Sequence, residues 1–112
     1  MNRETLEKIK SEVEIDTKEL LGNKLSKVIL YGSFAREDFD EESDIDFALM
    51  SDISEKEIPS YNNKLGEITS KISIKYGILV SLIIISSKTF NEYKNDLPFY
   101  MNLVKEGKII YG

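Results

Sequence analysis

The sequence contains neither cysteine nor histidine, and these two absences exclude many familiar catalytic centres. Without cysteine it offers no disulfide, no zinc finger and no thiol nucleophile. Without histidine it offers no Ser-His-Asp triad, no imidazole metal ligand and no side chain that ordinarily titrates near neutral pH. The chemistry must therefore use carboxylates, hydroxyls, lysine, arginine and whatever metal ion or nucleotide these groups bind.

An excess of positive charge and a long apolar run are also missing. Fifteen Lys and Arg residues against twenty Asp and Glu residues give a net charge of −5, so we expect no autonomous binding of nucleic acid. The longest apolar stretch, residues 78–85, is interrupted by Ser81 and is far shorter than the roughly 20 residues that span a bilayer. The polar N-terminus, residues 1–5, does not resemble a signal peptide. We expect a cytoplasmic protein with no membrane segment.

The composition is that of a folded protein with one core. Hydrophobic residues make up 41% of the chain and charged residues 31%, which is ordinary for a globular domain. Domains commonly run to about 100–150 residues, so we expect residues 1–112 to form a single domain.

Hydrophobic periodicity predicts helices and strands in the order α-β-β-α-β-α-α-β. Helices are expected up to Gly22, from Ser54 or Pro59 to Gly77, after Ser87, and over 98–106; strands are expected over 25–31, 44–50, 78–85 and 108–111. This order predicts an α+β fold, also describable as a layered α/β fold, with helices packed on a small mixed sheet.

Two polar motifs are expected to meet at one end of that sheet. Gly32 and Ser33 follow the first strand, and Asp44 and Asp46 lie at the start of the second. The connection is too short for a crossover, so the two strands should run antiparallel. The end of one strand then lies beside the beginning of the other, which predicts a common site.

The residue types at this end suit a phosphate and a metal ion. Gly32 lacks a Cβ and lets a phosphate approach the backbone, while Ser33 offers a hydroxyl and an N–H group. Asp44 and Asp46 should project from one face with their Cα atoms about 6.6 Å apart. Two such carboxylates repel each other unless a cation lies between them, and Mg²⁺ is the usual partner of carboxylates and phosphates. Separately, each motif could be an ordinary solvated turn; together they favour a site.

These motifs resemble the signature of minimal nucleotidyltransferases of the DNA polymerase β superfamily, small domains often paired with HEPN proteins in prokaryotic toxin–antitoxin systems. The residues that carry the resemblance are Tyr31–Arg36 (YGSFAR) and Ser43–Phe47 (SDIDF). The resemblance implies the nucleotidyltransferase fold and the transfer of a nucleoside monophosphate, AMP from ATP, to a hydroxyl acceptor with release of pyrophosphate.

The resemblance also implies roles for individual residues. Gly32 and Ser33 would hold the triphosphate, and Asp44 and Asp46 would be the catalytic ligands of Mg²⁺. Arg36 matches an arginine of the family that either contacts phosphate or braces the turn; we favour bracing. The acceptor hydroxyl belongs to a protein or a small molecule, and the protein partner that the resemblance suggests is a toxin of the HEPN type. Because the chain is short, we expect a second subunit to hold the acceptor, and the chain could form a homo- or hetero-oligomer.

The sequence departs from the family pattern at two positions. Glu37 stands where the family usually has glycine, which adds a negative charge near the phosphates. Ser81 stands where catalytic members carry a third carboxylate, on a strand that should lie parallel to the second and near the aspartates. Ser81 could equally be a small core residue. Asp40 and Glu42 are alternative sources of the missing carboxylate.

Two functions therefore remain open. The first is a Mg²⁺-dependent nucleotidyltransferase. The second is a catalytically weakened, nucleotide-binding subunit that inhibits a partner as an antitoxin does, because Ser81 leaves the two-metal site incomplete. The acidic segment between residues 37 and 46 is either a solvated loop ending in the metal site or a patch that favours a basic protein partner.

Overall fold

Helices cover both faces of a four-stranded sheet in the computed structural model, which describes residues 1–112. The helices are α1 (Arg3–Leu21), α2 (Ser33–Arg36), α3 (Asn62–Tyr76), α4 (Ser87–Tyr93) and α5 (Pro98–Glu106). The strands are β1 (Leu25–Tyr31), β2 (Ile45–Ser51), β3 (Val80–Ser86) and β4 (Lys108–Tyr111). Short 3-10 helices at Gly22–Lys24 and Ile58–Tyr61 precede β1 and α3.

The sheet is mixed, with the strand order β3-β2-β1-β4. Strands β1 and β2 pair antiparallel, as their short connection requires. Strands β2 and β3 pair parallel, because α3 carries the chain back between them. Strand β4 pairs antiparallel with β1 at the other edge. The predicted α+β fold with a small mixed sheet is confirmed.

The two faces of the sheet bury cores of different size. The larger core lies under α1 and α3 and includes Ile45, Phe47 and Leu49 of β2. The smaller core lies under α4 and α5 and includes Ala48 and Met50 of the same strand. Because side chains alternate along a strand, Asp46 belongs to the face of the smaller core. Asp46, the candidate site residue within β2, therefore shares a face with α4 and α5.

Element boundaries differ from the expected ones mainly before α3. Ser54 does not cap a helix; its hydroxyl donates to Glu57 Oε1 at 3.0 Å, within a turn. Pro59 lies in the 3-10 helix, and regular α-helix begins only at Asn62. Strand β3 begins at Val80, two residues later than expected, and the preceding Leu79 is exposed. The sequence periodicity does not mark these boundaries because it records burial, whereas proline and turn geometry decide where regular hydrogen bonding starts.

The structure also contains a helix that the predicted order lacks, α2 between β1 and β2. It is a single turn, anchored by the buried side chains of Phe34 and Ala35. The ring of Phe34 stacks on that of Phe39 at a centroid distance of 4.2 Å. None of the five helices combines the length and the apolar composition that crossing a membrane requires.

Candidate functional site

The register of β1 and β2 brings the glycine turn against an aspartate. Tyr31, the last residue of β1, pairs with Asp46 in β2. Gly32 follows with a φ of 74°, in the region that glycine adopts readily. A Cβ atom placed on Gly32 would lie 2.7 Å from Asp46 Oδ2. The carboxylate of Asp46 therefore lies directly beside the backbone of Gly32, at the end of the sheet where the sequence predicts a site.

Ser33 opens α2 immediately beyond this contact. The carbonyl oxygen of Gly32 accepts hydrogen bonds from the N–H groups of Ala35 and Arg36, both at 3.1 Å, so the chain turns helically straight after β1. The hydroxyl of Ser33 consequently belongs to the same end of the sheet as Asp46.

Asp44 and Asp46 form a pair of carboxylates at the start of β2. Asp44 is exposed and Asp46 is half-buried. Burial raises the pKa of Asp46 above its usual range, and the negative charge of Asp44 raises it further. No salt bridge of the structure involves either carboxylate. A divalent cation between the two side chains would relieve both effects, so the pair suits a Mg²⁺ site.

Tyr31 adds a phenol to the site that the sequence analysis did not identify. Burial raises the pKa of Tyr31 to about 12, with a further contribution from the charge of Asp46. The hydroxyl is therefore protonated at neutral pH. The ring makes an edge-to-face contact with Phe99 of α5 at a centroid distance of 5.4 Å. Strand pairing, which sequence periodicity does not supply, is what places Tyr31 beside the aspartate.

Ser81 lies next to Asp46 on the other side of β2. The parallel register pairs Asp46 with Ser81, so the two side chains project from the same face. Ser81 is half-buried, whereas its neighbours Val80 and Leu82 are buried in the larger core. The structure places Ser81 beside Asp46, as the expected parallel pairing requires. A carboxylate at residue 81 would thus lie next to that of Asp46.

Arg36 is engaged in ion pairs at the end of α2. Its Nε lies 3.1 Å from Asp38 Oδ2 and its Nη1 lies 3.5 Å from Glu106 Oε2 at the end of α5. The hydrogen bond to Asp38 is the main cause that raises the pKa of Arg36. These contacts join the turn to α5, which is the geometry of a bracing residue.

Glu37 ends α2 in the left-handed region, with φ 63° and ψ 27°. It is the only residue other than glycine with a positive φ. This conformation explains physically why glycine suits the position. The side chain of Glu37 points to Lys108 at the start of β4, where Oε1 and Nζ are 3.6 Å apart.

The acidic loop does not supply the third carboxylate. Asp40 Oδ1 accepts hydrogen bonds from the N–H of Glu42 at 2.9 Å and from the hydroxyl of Ser43 at 3.2 Å, so Asp40 closes a local turn. Across residues 1–112 no group of three or more acidic side chains is arranged to hold a metal ion. The site therefore has two carboxylates.

Comparison with known protein families shows the family to which the chain belongs. Residues 6–110 match the model of the nucleotidyltransferase domain family. The chain belongs to this family. The resemblance drawn from the two motifs is confirmed, and so is the expected enzyme class, nucleotidyltransferase.

Two curated nucleotidyltransferases of Methanocaldococcus jannaschii are similar to the chain over most of its length, and both carry the name "putative protein adenylyltransferase". MJ0604 is 33% identical over 88 residues, which cover 79% of this chain and 80% of that protein. MJ0141 is 38% identical over 99 residues, which cover 87% of this chain and 95% of that protein.

Solved structures share the fold at lower sequence identity. A toxin–antitoxin complex crystallised with AMP-PNP has a TM-score of 0.61 at 18% identity and covers 92% of this chain and 73% of that one. The MNT antitoxin complex with the tri-AMPylated Shewanella oneidensis HEPN toxin has a TM-score of 0.57 at 16% identity and covers 95% of this chain and 71% of that one. These likenesses establish the nucleotidyltransferase fold.

Proposed function

We propose that this nucleotidyltransferase is a Mg²⁺-dependent protein adenylyltransferase that moves AMP from ATP to a hydroxyl group of a partner protein, a toxin of the HEPN type. The observation that carries the proposal is the contact between Gly32 and Asp46, with Asp44 at its side. This contact brings the backbone of the glycine turn beside two carboxylates that can hold the metal ion of a bound nucleotide.

Each residue of the site has its own role in this proposal. Gly32 and Ser33 bind the triphosphate through the backbone of the turn and the serine hydroxyl. Glycine is needed at residue 32 because a Cβ there would collide with Asp46. Asp44 and Asp46 hold Mg²⁺, which when bound neutralises the phosphate charge that develops during transfer. Arg36 keeps α2 in place through Asp38 and Glu106.

The reaction is a displacement at the α-phosphorus of ATP. The oxygen of the acceptor hydroxyl forms a bond to that phosphorus, the bond between the phosphorus and the bridging oxygen of pyrophosphate breaks, and the hydroxyl proton leaves to water. The chain contributes alignment and electrostatics to this step. The names of the Methanocaldococcus relatives and the AMPylated toxin beside the MNT antitoxin support adenylyl transfer to protein.

The experiment incubates the chain and a purified candidate partner of the HEPN type with ATP labelled on the α-phosphate, and separately with ATP labelled on the γ-phosphate. We expect the partner to acquire the α label and not the γ label, because AMP is transferred. Asp46→Asn should abolish labelling. Asp52→Asn, the same change in the exposed residue just beyond the opposite end of β2, should leave it intact.

A second function is favoured by one specific observation, the serine at residue 81 in a site with only two carboxylates. In that case the chain binds Mg²⁺-ATP and its partner but transfers AMP weakly or not at all. A tight complex that acquires no label, together with calorimetric binding of Mg²⁺-ATP that Asp44→Ala abolishes, would identify this function. Labelling that persists in Asp46→Asn would refute the assigned site itself.

A further inference from the structure

A well-formed cavity lies away from the candidate site. It has a volume of about 840 Å³ and lies between α4, α5 and the sheet, at the end where β1 begins and β2 ends. Met50 contributes to its floor, four residues along β2 from Asp46 and on the same face. At about 3.3 Å per strand residue the two positions are about 13 Å apart.

Helix α5 leaves an apolar stripe exposed at this cavity. Leu103 is the only buried residue of the helix. Met101 and Val104 line the cavity and have exposed fractions of 48% and 63%, and Leu97, which immediately precedes the helix, is 43% exposed. Ile109 of β4, which also lines the cavity, is 55% exposed. Contiguous exposed apolar residues of this kind mark interaction surfaces.

The charge of the cavity is opposite to that of the chain. Among its fourteen lining residues are two lysines, Lys27 and Lys94, and no acidic residue. The whole chain, by contrast, carries twenty acidic and fifteen basic residues. Hydroxyl and amide side chains complete the polar rim, among them Ser87, Asn91 and Asn95. A complementary ligand is apolar along one side and negatively charged beside it.

We propose that this groove, defined by Lys27, Lys94, Met101, Val104 and Ile109, docks an amphipathic helix of a partner protein whose apolar stripe is flanked by Asp or Glu. A helix presents apolar side chains at i, i+3, i+4 and i+7, which matches a stripe and cavity of this shape. The proposal rests on the proposed function in one respect only: the docked helix belongs to the acceptor, which is thereby held on the face that carries Asp46.

The test measures the binding of a fluorescent helical peptide of about 18 residues, which is five helical turns, by anisotropy. The peptide carries leucine at i, i+3, i+4 and i+7 with flanking glutamates, and its counterpart has lysine at every glutamate. We expect the acidic peptide to bind at least about tenfold more tightly than the basic one. Equal binding of the two peptides would overturn the proposed charge complementarity.

Variants locate the binding. Val104→Glu and Lys94→Glu should each weaken binding of the acidic peptide by about tenfold. Their matched controls, Ile74→Glu and Lys64→Glu, alter exposed residues of α3 on the other face of the sheet and should leave binding unchanged. If the controls weaken binding as much as the groove variants do, the groove is not the docking site.

Three further results separate this proposal from its competitors. Self-association in sedimentation equilibrium that Val104→Glu removes, without peptide binding, would assign the groove to a second copy of the chain and refute the proposal. Peptide binding by a chain that fails to bind Mg²⁺-ATP would uphold docking while refuting the proposed function. If the parent chain binds no peptide, and if Val104→Glu and Lys94→Glu still transfer label to the partner as the parent does, docking alone is refuted.

Discussion

At the scale of single residues, the tightest constraint in the site is the approach of Gly32 to Asp46. Gly32 combines a positive φ with a distance of 2.7 Å from its absent Cβ to a carboxylate oxygen. Its φ of 74° and ψ of −155° lie in a region that is essentially restricted to glycine, and such a conformation costs an L-residue roughly 1–3 kcal/mol. A side chain at residue 32 would also displace Asp46, so one substitution affects both stability and metal binding.

Gly32→Ala is therefore expected to lower the free energy of unfolding by at least about 1 kcal/mol and to weaken Mg²⁺-ATP binding. Urea unfolding and calorimetry measure the two effects. Gly66→Ala is the control, because Gly66 lies in α3 where an added Cβ would meet no atom within 4 Å, and alanine favours a helix by about 0.5–1 kcal/mol. A Gly32→Ala protein as stable as the parent would contradict the argument.

Glu37 is the reverse case of Gly32, because here a residue other than glycine occupies a left-handed conformation, with φ 63°. We expect Glu37→Gly to raise the free energy of unfolding by about 0.5–1 kcal/mol, the relief of strain less the entropy of an added glycine. Glu37→Ala keeps the strain and loses only the contact with Lys108, so it should not stabilise. Urea midpoints distinguish the two variants, and equal midpoints would rule out backbone strain as the cause.

At the scale of elements, the parallel register of β2 and β3 makes Ser81 the neighbour of Asp46. We expect Ser81→Asp to increase Mg²⁺ affinity by about tenfold, because each added carboxylate strengthens a hard-cation site. It should also increase AMP transfer if the lack of a third metal ligand limits the reaction. Ser81→Asn introduces a side chain with the shape of aspartate but without its charge, so it should change neither the Mg²⁺ affinity nor AMP transfer. Matching calorimetric curves for the two variants would show that residue 81 does not reach the metal.

Helices α1 and α3 are joined by ion pairs that should make stability depend on pH. Lys75 Nζ lies 2.9 Å from Glu12 Oε1, and Lys71 pairs with Asp16. The Tyr76 hydroxyl, followed by Lys75, lowers the pKa of Glu12 below its usual 4.5. A lowered pKa in the folded state stabilises the protein above pH 4.5, and this contribution is lost as the pH falls through the folded-state pKa.

The difference in urea midpoint between the parent and Glu12→Gln should therefore be present at pH 7 and shrink towards zero at acidic pH. The effect is small, because the Lys75 side chain is 58% exposed and solvent screens its charge, although that of Glu12 is only 25% exposed. Glu19→Gln, at an exposed residue of the same helix, should produce no midpoint difference at either pH. A midpoint difference for Glu12→Gln that stays constant with pH would exclude this ion pair as its source.

At the scale of the whole molecule, charge and topology separate two regions on one sheet face. The acidic loop and the aspartate pair lie at one end, and the groove with its two lysines lies at the other. A partner seated in the groove would extend along β2 towards Asp46. If both proposals hold, the acceptor is held at one end of this face and the nucleotide at the other.

The net charge of −5 leads to a prediction about nucleic acid. We expect no mobility shift of single- or double-stranded DNA or RNA at low ionic strength, because few phosphates could be neutralised and few counterions released. A shift that weakens as salt is added would contradict this expectation and would reopen nucleic acid as an acceptor.

The sequence by itself determined the order of the elements, and the structure confirms it apart from the added turn α2. Alternation and helical spacing predict β1 over the residues it occupies and α5 from Pro98 to Glu106, because burial of one face imposes a period on the residues. The YGSFAR and SDIDF segments also identified the family. Their proximity followed from one further fact, the shortness of the connection between β1 and β2.

Only the tertiary structure decided what surrounds these motifs. The edge-to-face packing of Phe99 on Tyr31 and the ion pairs of Arg36 with Asp38 and Glu106 depend on how α5 lies against the sheet. So does the groove beside Val104, which residues distant in sequence enclose. Periodicity indicates whether a residue faces a core but not which segment covers it, because the covering segment depends on how the whole chain packs.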